Sequence, residues 1–286
     1  TEGTSDGFYI IAALRGGDGV IADFEIVDCN EPGAGYFGVR REQLLGMRLQ
    51  SRAHEPYFRD LIHNYRAAMQ SGFSEEEIEL PEGNPFKLRW IRRRLVRSGD
   101  RLAVTLQDIS TAKEHERDLR RLANEDGLTG LPNRCLLNQL VDQGLAEAKR
   151  QGTHGALMVI DISRIGSISD TLGHEVGDQL VIAIGQLFRG ALRDADILAR
   201  VDNSKFVVAL LHIEKREHAA NVAQKLLNLL EAPINIDAHA LHVGASIGIT
   251  VYPEDGLEAP ALFRFADVAV AKAAQTIEST FLFYRE

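Results

Sequence analysis

The sequence predicts an α+β chain of two units: a five-stranded antiparallel sheet with inserted helices, then a unit in which helix and strand alternate, the two joined by a helix. Three observations carry this reading. A length of 286 residues suits two compact units better than one. Short runs rich in β-branched and aromatic residues, bounded by turn residues, fill much of 1–110, whereas 3.6-residue periodicity and apolar strand-like runs alternate from Asn124 onward. Between them, 111–123 is highly charged, with Ala112, Leu119 and Leu122 among its few apolar positions.

In the first unit, 8–14 and 20–29 read as strands with Gly16-Gly17-Asp18-Gly19 as the turn between them. Short helices follow over 31–37 and 41–45. Residues 56–69 place Phe58, Ile62, Tyr65 and Met69 at helical spacing, and Gly72 closes that helix. Strands over 74–80, 86–94 and 101–108 complete the sheet, with Trp90, Arg92 and Arg94 at alternate positions on a wet face. The run Arg92-Arg93-Arg94 reads as a solvated strand edge that discourages sheet-to-sheet pairing. Residues 111–123 form a helix with Ser110 as N-cap. It is either a solvated linker or a short parallel coiled coil.

In the second unit, 131–150 is helical and 155–161 is a buried strand. Residues 174–192 form an amphipathic helix with Val176, Leu180, Ile184, Leu187 and Ala191 on one face. Strands 196–201 and 205–211 make a hairpin across Asp202-Asn203-Ser204. A helix over 217–230, a strand over 241–251, a helix over 259–275 and a last strand over 281–284 follow. The order β-α-β-β-α-β matches a ferredoxin-like or polymerase-palm core. The expected boundaries are 1–110, 111–123 and 124–286.

Composition narrows the function classes. At 45% hydrophobic and 26% charged residues the chain is ordinary globular protein, not disordered, collagenous or wholly coiled-coil. Cys29 and Cys135 cannot build a disulfide framework and lie in no CxxC or His-rich setting, so a reducing, cytoplasmic compartment and no structural zinc are expected. The net charge of −9 hides no basic half, which argues against a surface that grips nucleic acid. Apolar runs such as 206–211 are far too short to cross a bilayer.

Particular motifs go further. Asp126-Gly-Leu-Thr-Gly-Leu-Pro-Asn-Arg134 resembles the entry signature of GGDEF domains, which condense two GTP into cyclic di-GMP, and Gly173-His-Glu-Val-Gly-Asp178, Ser246-Ile-Gly248 and Ala266-Asp267 fall at that family's spacings over 124–286. Asp28-Cys29-Asn30, Leu44-Leu45-Gly46 and Asp108-Ile-Ser110 resemble a PAS sensor domain. The resemblance implies a palm-like catalytic domain behind a PAS sheet. It also implies a metal held by carboxylates, since a triphosphate must be neutralised and a 3′-hydroxyl activated.

Position by position the chain departs from that pattern. Asp161 fits one metal carboxylate. The five-residue signature reads Asp202-Asn203-Ser204-Lys205-Phe206: the two glycines are replaced by Asp202 and Asn203, the metal-binding acid by Ser204 and the following Glu by Lys205, leaving only Phe206. After Asp161 the family's acid, Phe, Lys and Asn are Ser163, Ile165, Gly166 and Ser169, although Asp178 keeps the other guanine-reading position. Ala274 and Glu278 stand where the family holds phosphates with Lys and Arg. The catalytic site therefore reads as dead, with Asp161 and Asp178 as vestiges.

Arg193-Asp194-Ala195-Asp196 matches RxxD, the family's inhibitory cyclic di-GMP site, in which Arg193 would fork onto phosphate or guanine and Asp196 accept from guanine N–H groups. The bland alternative is a cation placed favourably at a helix end. His54 and His63 are the residues that could ligate haem in such a pocket, with His63 on a short helix read instead as a surface or capping histidine; Cys29 lies outside the flavin-adduct signature, and the ligand of the sensor is left open. The resulting expectation is a cyclic di-GMP signalling module in which a PAS sensor controls an inactive GGDEF domain. It would dimerise through the PAS unit and linker helix and act upstream of an EAL phosphodiesterase domain. The rivals are a diguanylate cyclase with residual activity and a GTP-binding switch that uses Asp161 and Asp178 without turnover.

Overall fold

The computed structural model describes residues 6–52, 56–81, 84, 88–276 and 279–285. They fall into two compact units, Thr1–Asp118 and Leu119–Glu286. Among the described residues, no helix is long and apolar enough to cross a membrane.

The first unit runs β1 (Gly7–Arg15), β2 (Ile21–Cys29), α1 (Glu31–Tyr36), α2 (Arg41–Leu44), a 3-10 turn (Leu49–Arg52), α3 (Pro56–Ser71), β3 (Phe73–Glu79), β4 (Trp90–Ser98) and β5 (Arg101–Asp108). The strands form one antiparallel sheet in the order β2-β1-β5-β4-β3. Strand alternation sends Tyr9 and Ile11 of β1 into a core with Phe24 and Ile26 of β2 and Phe58 and Tyr65 of α3. Asn30 starts α1 by accepting the Gly33 N–H at 2.8 Å.

The arginine run is not a sheet edge. β4 lies between β5 and β3, and its Arg92, Arg93 and Arg94 stand opposite Glu77, Glu76 and Glu75, with an ion pair across each step. Cross-strand complementarity, invisible in a single strand's pattern, decides this. Arg93 points inward, is 2% exposed, binds Glu76 at 2.6 Å and lies over the Tyr65 ring. β4 begins at Trp90, and Phe86, where a start was expected, lies outside the described residues.

Helix α4 (Ser110–Asn124) buries no residue. Ser110 does not cap it from outside but is its first helical residue. The Ser110 hydroxyl accepts the Trp90 N–H at 3.0 Å, while Asp108 Oδ1 accepts the Ser110 N–H at 2.9 Å. The capping oxygen thus comes from two residues earlier.

The second unit contains α5 (Arg134–Gln151), β6 (His154–Ser163), α6 (Ile165–Leu172), α7 (His174–Ala191), β7 (Ile197–Arg200), β8 (Lys205–Ile213), α8 (Arg216–Asn228), β9 (Ile234–Ile236), β10 (His239–Leu241), β11 (Gly244–Tyr252), α9 (Ala259–Ala273) and β12 (Thr280–Phe283). The main sheet is β12-β11-β6-β8-β7, antiparallel except for the β11–β12 pair, and its β11-β6-β8-β7 part is the palm arrangement. Met158, Ile160 and Ile162 of β6 pack with α7 and α8, whereas Leu157 and Val159 pack with α5 and α9. Burial on both faces is why this strand reads as an unbroken apolar run.

Two differences from the sequence reading have local causes. α5 starts at Arg134 rather than 131 because the Asn133 side chain accepts the Cys135 and Leu136 N–H groups just after Pro132. α6 was not expected, because Gly166, Ser167, Ser169 and Thr171 are poor helix formers. Its Ile165 and Ile168 are buried in the core, so tertiary packing overrides propensity there.

Candidate functional site

The centre of the site is set by strand register. Asp161, two residues before the end of β6, stands opposite Lys205 of β8 and Ser246 of β11. Asp161 shares the sheet face of Leu157 and Val159, the face covered by α5 and α9. The Ser204 hydroxyl donates to Asp161 Oδ1 at 2.8 Å, and the Ser204 carbonyl accepts the Ile162 N–H at 2.9 Å. Lys205 Nζ approaches Asp267 Oδ1 of α9 at 3.5 Å. In the turn itself, exposed Asp202 accepts the N–H of exposed Asn203 at 2.8 Å. Phe206 is fully buried, edge-to-face on Phe188 with ring centroids 5.7 Å apart.

A second tie holds the hairpin from behind. Arg200, at the end of β7, places Nη1 at 2.9 and 3.1 Å from the two oxygens of Asp126, and its Nη2 reaches the Asn203 carbonyl at 3.2 Å. Asp126 also accepts the Thr129 N–H and hydroxyl at 2.9 and 2.7 Å. Burial pushes the Asp126 carboxyl up, but Thr129 and Arg200 outweigh it and hold the group below the usual carboxylate range.

This donor set does not fit the divalent metal that the resemblance implies. Where β6 meets the β7–β8 turn it offers the Asp161 carboxylate, the Ser204 hydroxyl and the Lys205 ammonium, and an ammonium repels a metal cation. Among the described residues, no group of three or more His, Cys, Asp or Glu side chains is placed to hold a metal ion.

The other expected positions are dispersed. Asp178 is exposed on the second turn of α7. Its neighbour Gly177 lets α6 pack against α7, since a Cβ there would lie 2.0 Å from the Ser169 hydroxyl oxygen. Ser163 Oγ accepts the Gly244 N–H at 3.1 Å, and Ile165 is buried. Ala274 is the exposed C-cap of α9. Glu278 and His54 lie outside the described residues, and His63 is exposed on α3.

Arg193 and Asp196 sit at the other end of β7 from the turn. Asp196 Oδ2 accepts the Arg193 N–H at 3.0 Å, and Arg189 donates to the Asp196 carbonyl at 2.8 Å and to the Arg193 carbonyl. The exposed Arg193 side chain borders a groove shared with His212, Glu214, Lys215, His218 and Asn221. The structure therefore brings Asp161, Ser204 and Lys205 together, and separately Arg193 and Asp196. Sequence reasoning missed the pairings of Asp267 with Lys205 and of Asp126 with Arg200. The two aspartates stood out as motif positions, but nothing in the sequence marked their partners.

Comparison with known proteins places this geometry. Residues 123–279 match the family model described as "Diguanylate cyclase, GGDEF domain", and 20–114 match the PAS fold. The chain is 32% identical over 179 residues to the cyclic di-GMP phosphodiesterase NbdA of Pseudomonas aeruginosa, covering 63% of this chain and 22% of NbdA. It is 35% identical over 170 residues to the bifunctional diguanylate cyclase/cyclic di-GMP phosphodiesterase MucR of the same species, covering 59% and 24%. It thus spans about a quarter of the length of these two relatives. Among solved structures, the GGDEF domain of TpbB from Pseudomonas aeruginosa superposes with a TM-score of 0.55 at 30% identity, over 56% of this chain and 94% of that one. A sensory box/GGDEF family protein from Caulobacter crescentus gives 0.51 at 31% identity, over 54% and 99%.

Proposed function

The chain belongs to the GGDEF-domain family, with a PAS fold ahead of that domain, and from this premise we propose that it is a cyclic di-GMP signalling module whose GGDEF domain is catalytically inactive and regulatory. One observation carries the reading. The hydroxyl of Ser204 occupies Asp161, and Lys205 pairs with Asp267, at the two turn positions where the family's chemistry calls for acids. In this role the PAS unit governs a domain that docks onto, or senses nucleotide for, a partner such as an EAL phosphodiesterase unit. The phosphodiesterase activity in the names of NbdA and MucR supports that partner class, and a cytoplasmic setting belongs to the same reading.

The module acts as a homodimer through the PAS unit and α4. Phe8, Ile10, Ala12 and Leu14 alternate with the inward Tyr9 and Ile11 on the outer face of β1, and Leu119 and Leu122 of α4 are 67% and 72% exposed. A purified sample is expected to weigh two chains by light scattering and, with GTP and Mg²⁺ or Mn²⁺, to form no cyclic di-GMP above an enzyme-free blank by chromatography. Product above the blank would sink the inactive reading, and a single-chain mass would sink the dimer.

A second site belongs to the reading because Arg193 is exposed at an open groove beside Lys215. Cyclic di-GMP is expected to bind there by calorimetry, with Arg193 on phosphate or guanine and Asp196 supporting the loop. Each hydrogen bond to a charged group contributes about 1.5–3 kcal/mol, so Arg193→Ala should weaken binding roughly ten- to a hundredfold. Asp161→Ala should leave the affinity unchanged. Titration with GTP separates this from the rival nucleotide switch on Asp161 and Asp178, which predicts GTP affinity lost in Asp178→Ala.

A further inference from the structure

Helix α4 leaves the sheet unit without burying a side chain, so apolar packing does not hold its first turns. Charge does. Lys113 Nζ lies 2.8 Å from Glu77 Oε2 on β3 and 3.3 Å from Glu116 Oε2 one turn along α4. The same ammonium stands 5.6 Å from the centroid of the Trp90 ring on β4. Glu77 is shared: its other oxygen accepts from Arg92, directly opposite on β4, at 2.8 Å. Lys113 is 28% exposed and Glu77 35%, so water screens the pair only in part. The Lys113 hydrogen bond, and after it that of Arg92, holds the Glu77 carboxyl below the usual carboxylate range. Glu77, and then Glu116, holds the Lys113 ammonium above its ordinary value.

We propose that Lys113 is an electrostatic latch that fixes the first turns of α4 to the β3–β4 edge of the sheet unit, and that its release is the step by which this unit frees the helix. The placement supplies a route from the interior. Glu76 and Arg93 are the neighbours of Glu77 and Arg92 on the two antiparallel strands but point to the opposite face, where Arg93 is buried against Tyr65. A shift of β4 relative to β3 that disturbs the inner pair also moves the outer pair, because both ride on the same register. Arg92 and Lys113 then compete for one carboxylate, and the helix is held only while Lys113 keeps its share.

The test uses the full chain and two readouts. Trp90 is its only tryptophan, so intrinsic fluorescence reports the ammonium over that ring. Hydrogen exchange reports the backbone amides of 113–117. Lys113→Met keeps the aliphatic stem and should speed exchange in this segment about three- to tenfold, in keeping with one partly exposed ion pair plus a cation–π contact. The same substitution should change Trp90 emission. Glu77→Gln should do likewise, and the double variant should be no faster than either single one, because both remove the same contact. Raising salt should bring the wild type toward the variant while leaving Lys113→Met unmoved. Lys113→Arg keeps the charge and should behave as wild type. If Lys113→Met fails to fold, Glu77→Gln reads the same contact from the sheet side. Unchanged exchange in the folded single variants, or effects that add in the double one, would overturn the latch.

Discussion

Gly248→Ala is expected to abolish the fold of the second unit, or to cost it about 3 kcal/mol or more in urea unfolding followed by circular dichroism. A Cβ at Gly248 of β11 would lie 2.1 Å from the Ala266 carbonyl oxygen and 2.5 Å from the Val270 nitrogen, both backbone atoms of α9. Neither can turn aside as a flexible side chain would, so either the helix lifts off the sheet or the strand bends. Lifting α9 would uncover Leu262, Ala266 and Val270, which pack there against Leu157 and Val159 of β6. Gly190→Ala is the control. It lies on α7 with nothing within 4 Å of the added methyl, and it should be neutral or stabilise by up to about 1 kcal/mol. Equal stability for Gly248→Ala and wild type would show that the close approach of α9 to β11 is wrong.

Arg200→Met should destabilise the second unit by about 3–5 kcal/mol, the cost of leaving one partner of a largely buried ion pair alone. The two side chains are 10% and 22% exposed, and the guanidinium also bonds the Asn203 carbonyl of the turn. Asp126→Leu combined with Arg200→Met should recover part of the loss, because an apolar pair leaves no charge unpaired. The sign of the pH dependence follows from Asp126. Its folded carboxyl is held below the ordinary value, so the stabilisation is fully present above that value and is lost as pH falls through the folded one. Wild-type stability should therefore lose this contribution only below about pH 4, whereas Asp126→Asn should show less decline over that window. A loss below about 1 kcal/mol in Arg200→Met would mean that the pair does not hold the turn.

Most of the strands and longer helices were legible from residue composition or from period. Leu180, Ile184 and Phe188 recur at helical spacing in α7, while β1 was legible as an aromatic and β-branched run bounded by a glycine-rich turn rather than by a period. The hairpin β9–β10 and α6 were not legible: β9 and β10 have three residues each, and Gly166, Ser167, Ser169 and Thr171 mask the helix that the burial of Ile165 and Ile168 imposes. The substitutions at Ser204 and Lys205 could be read directly, as side-chain chemistry is written at each position. What those side chains bond to could not.

By itself, the sequence determined the order of the elements, the PAS and GGDEF signatures, and the replacement of the family's two acids by Ser204 and Lys205. Only the tertiary structure decided that Ser204 fills the hydrogen-bonding place beside Asp161 and that Lys205 turns to Asp267, 62 residues away along the chain. It likewise decided that Arg200 reaches back 74 residues to Asp126 and that Arg93 lies buried inside a sheet. The physical reason is common to all four. A residue's type and local spacing are properties of the chain, but the partner of a charge is whatever strand register and helix packing bring within about 3 Å, and these are set by the whole core.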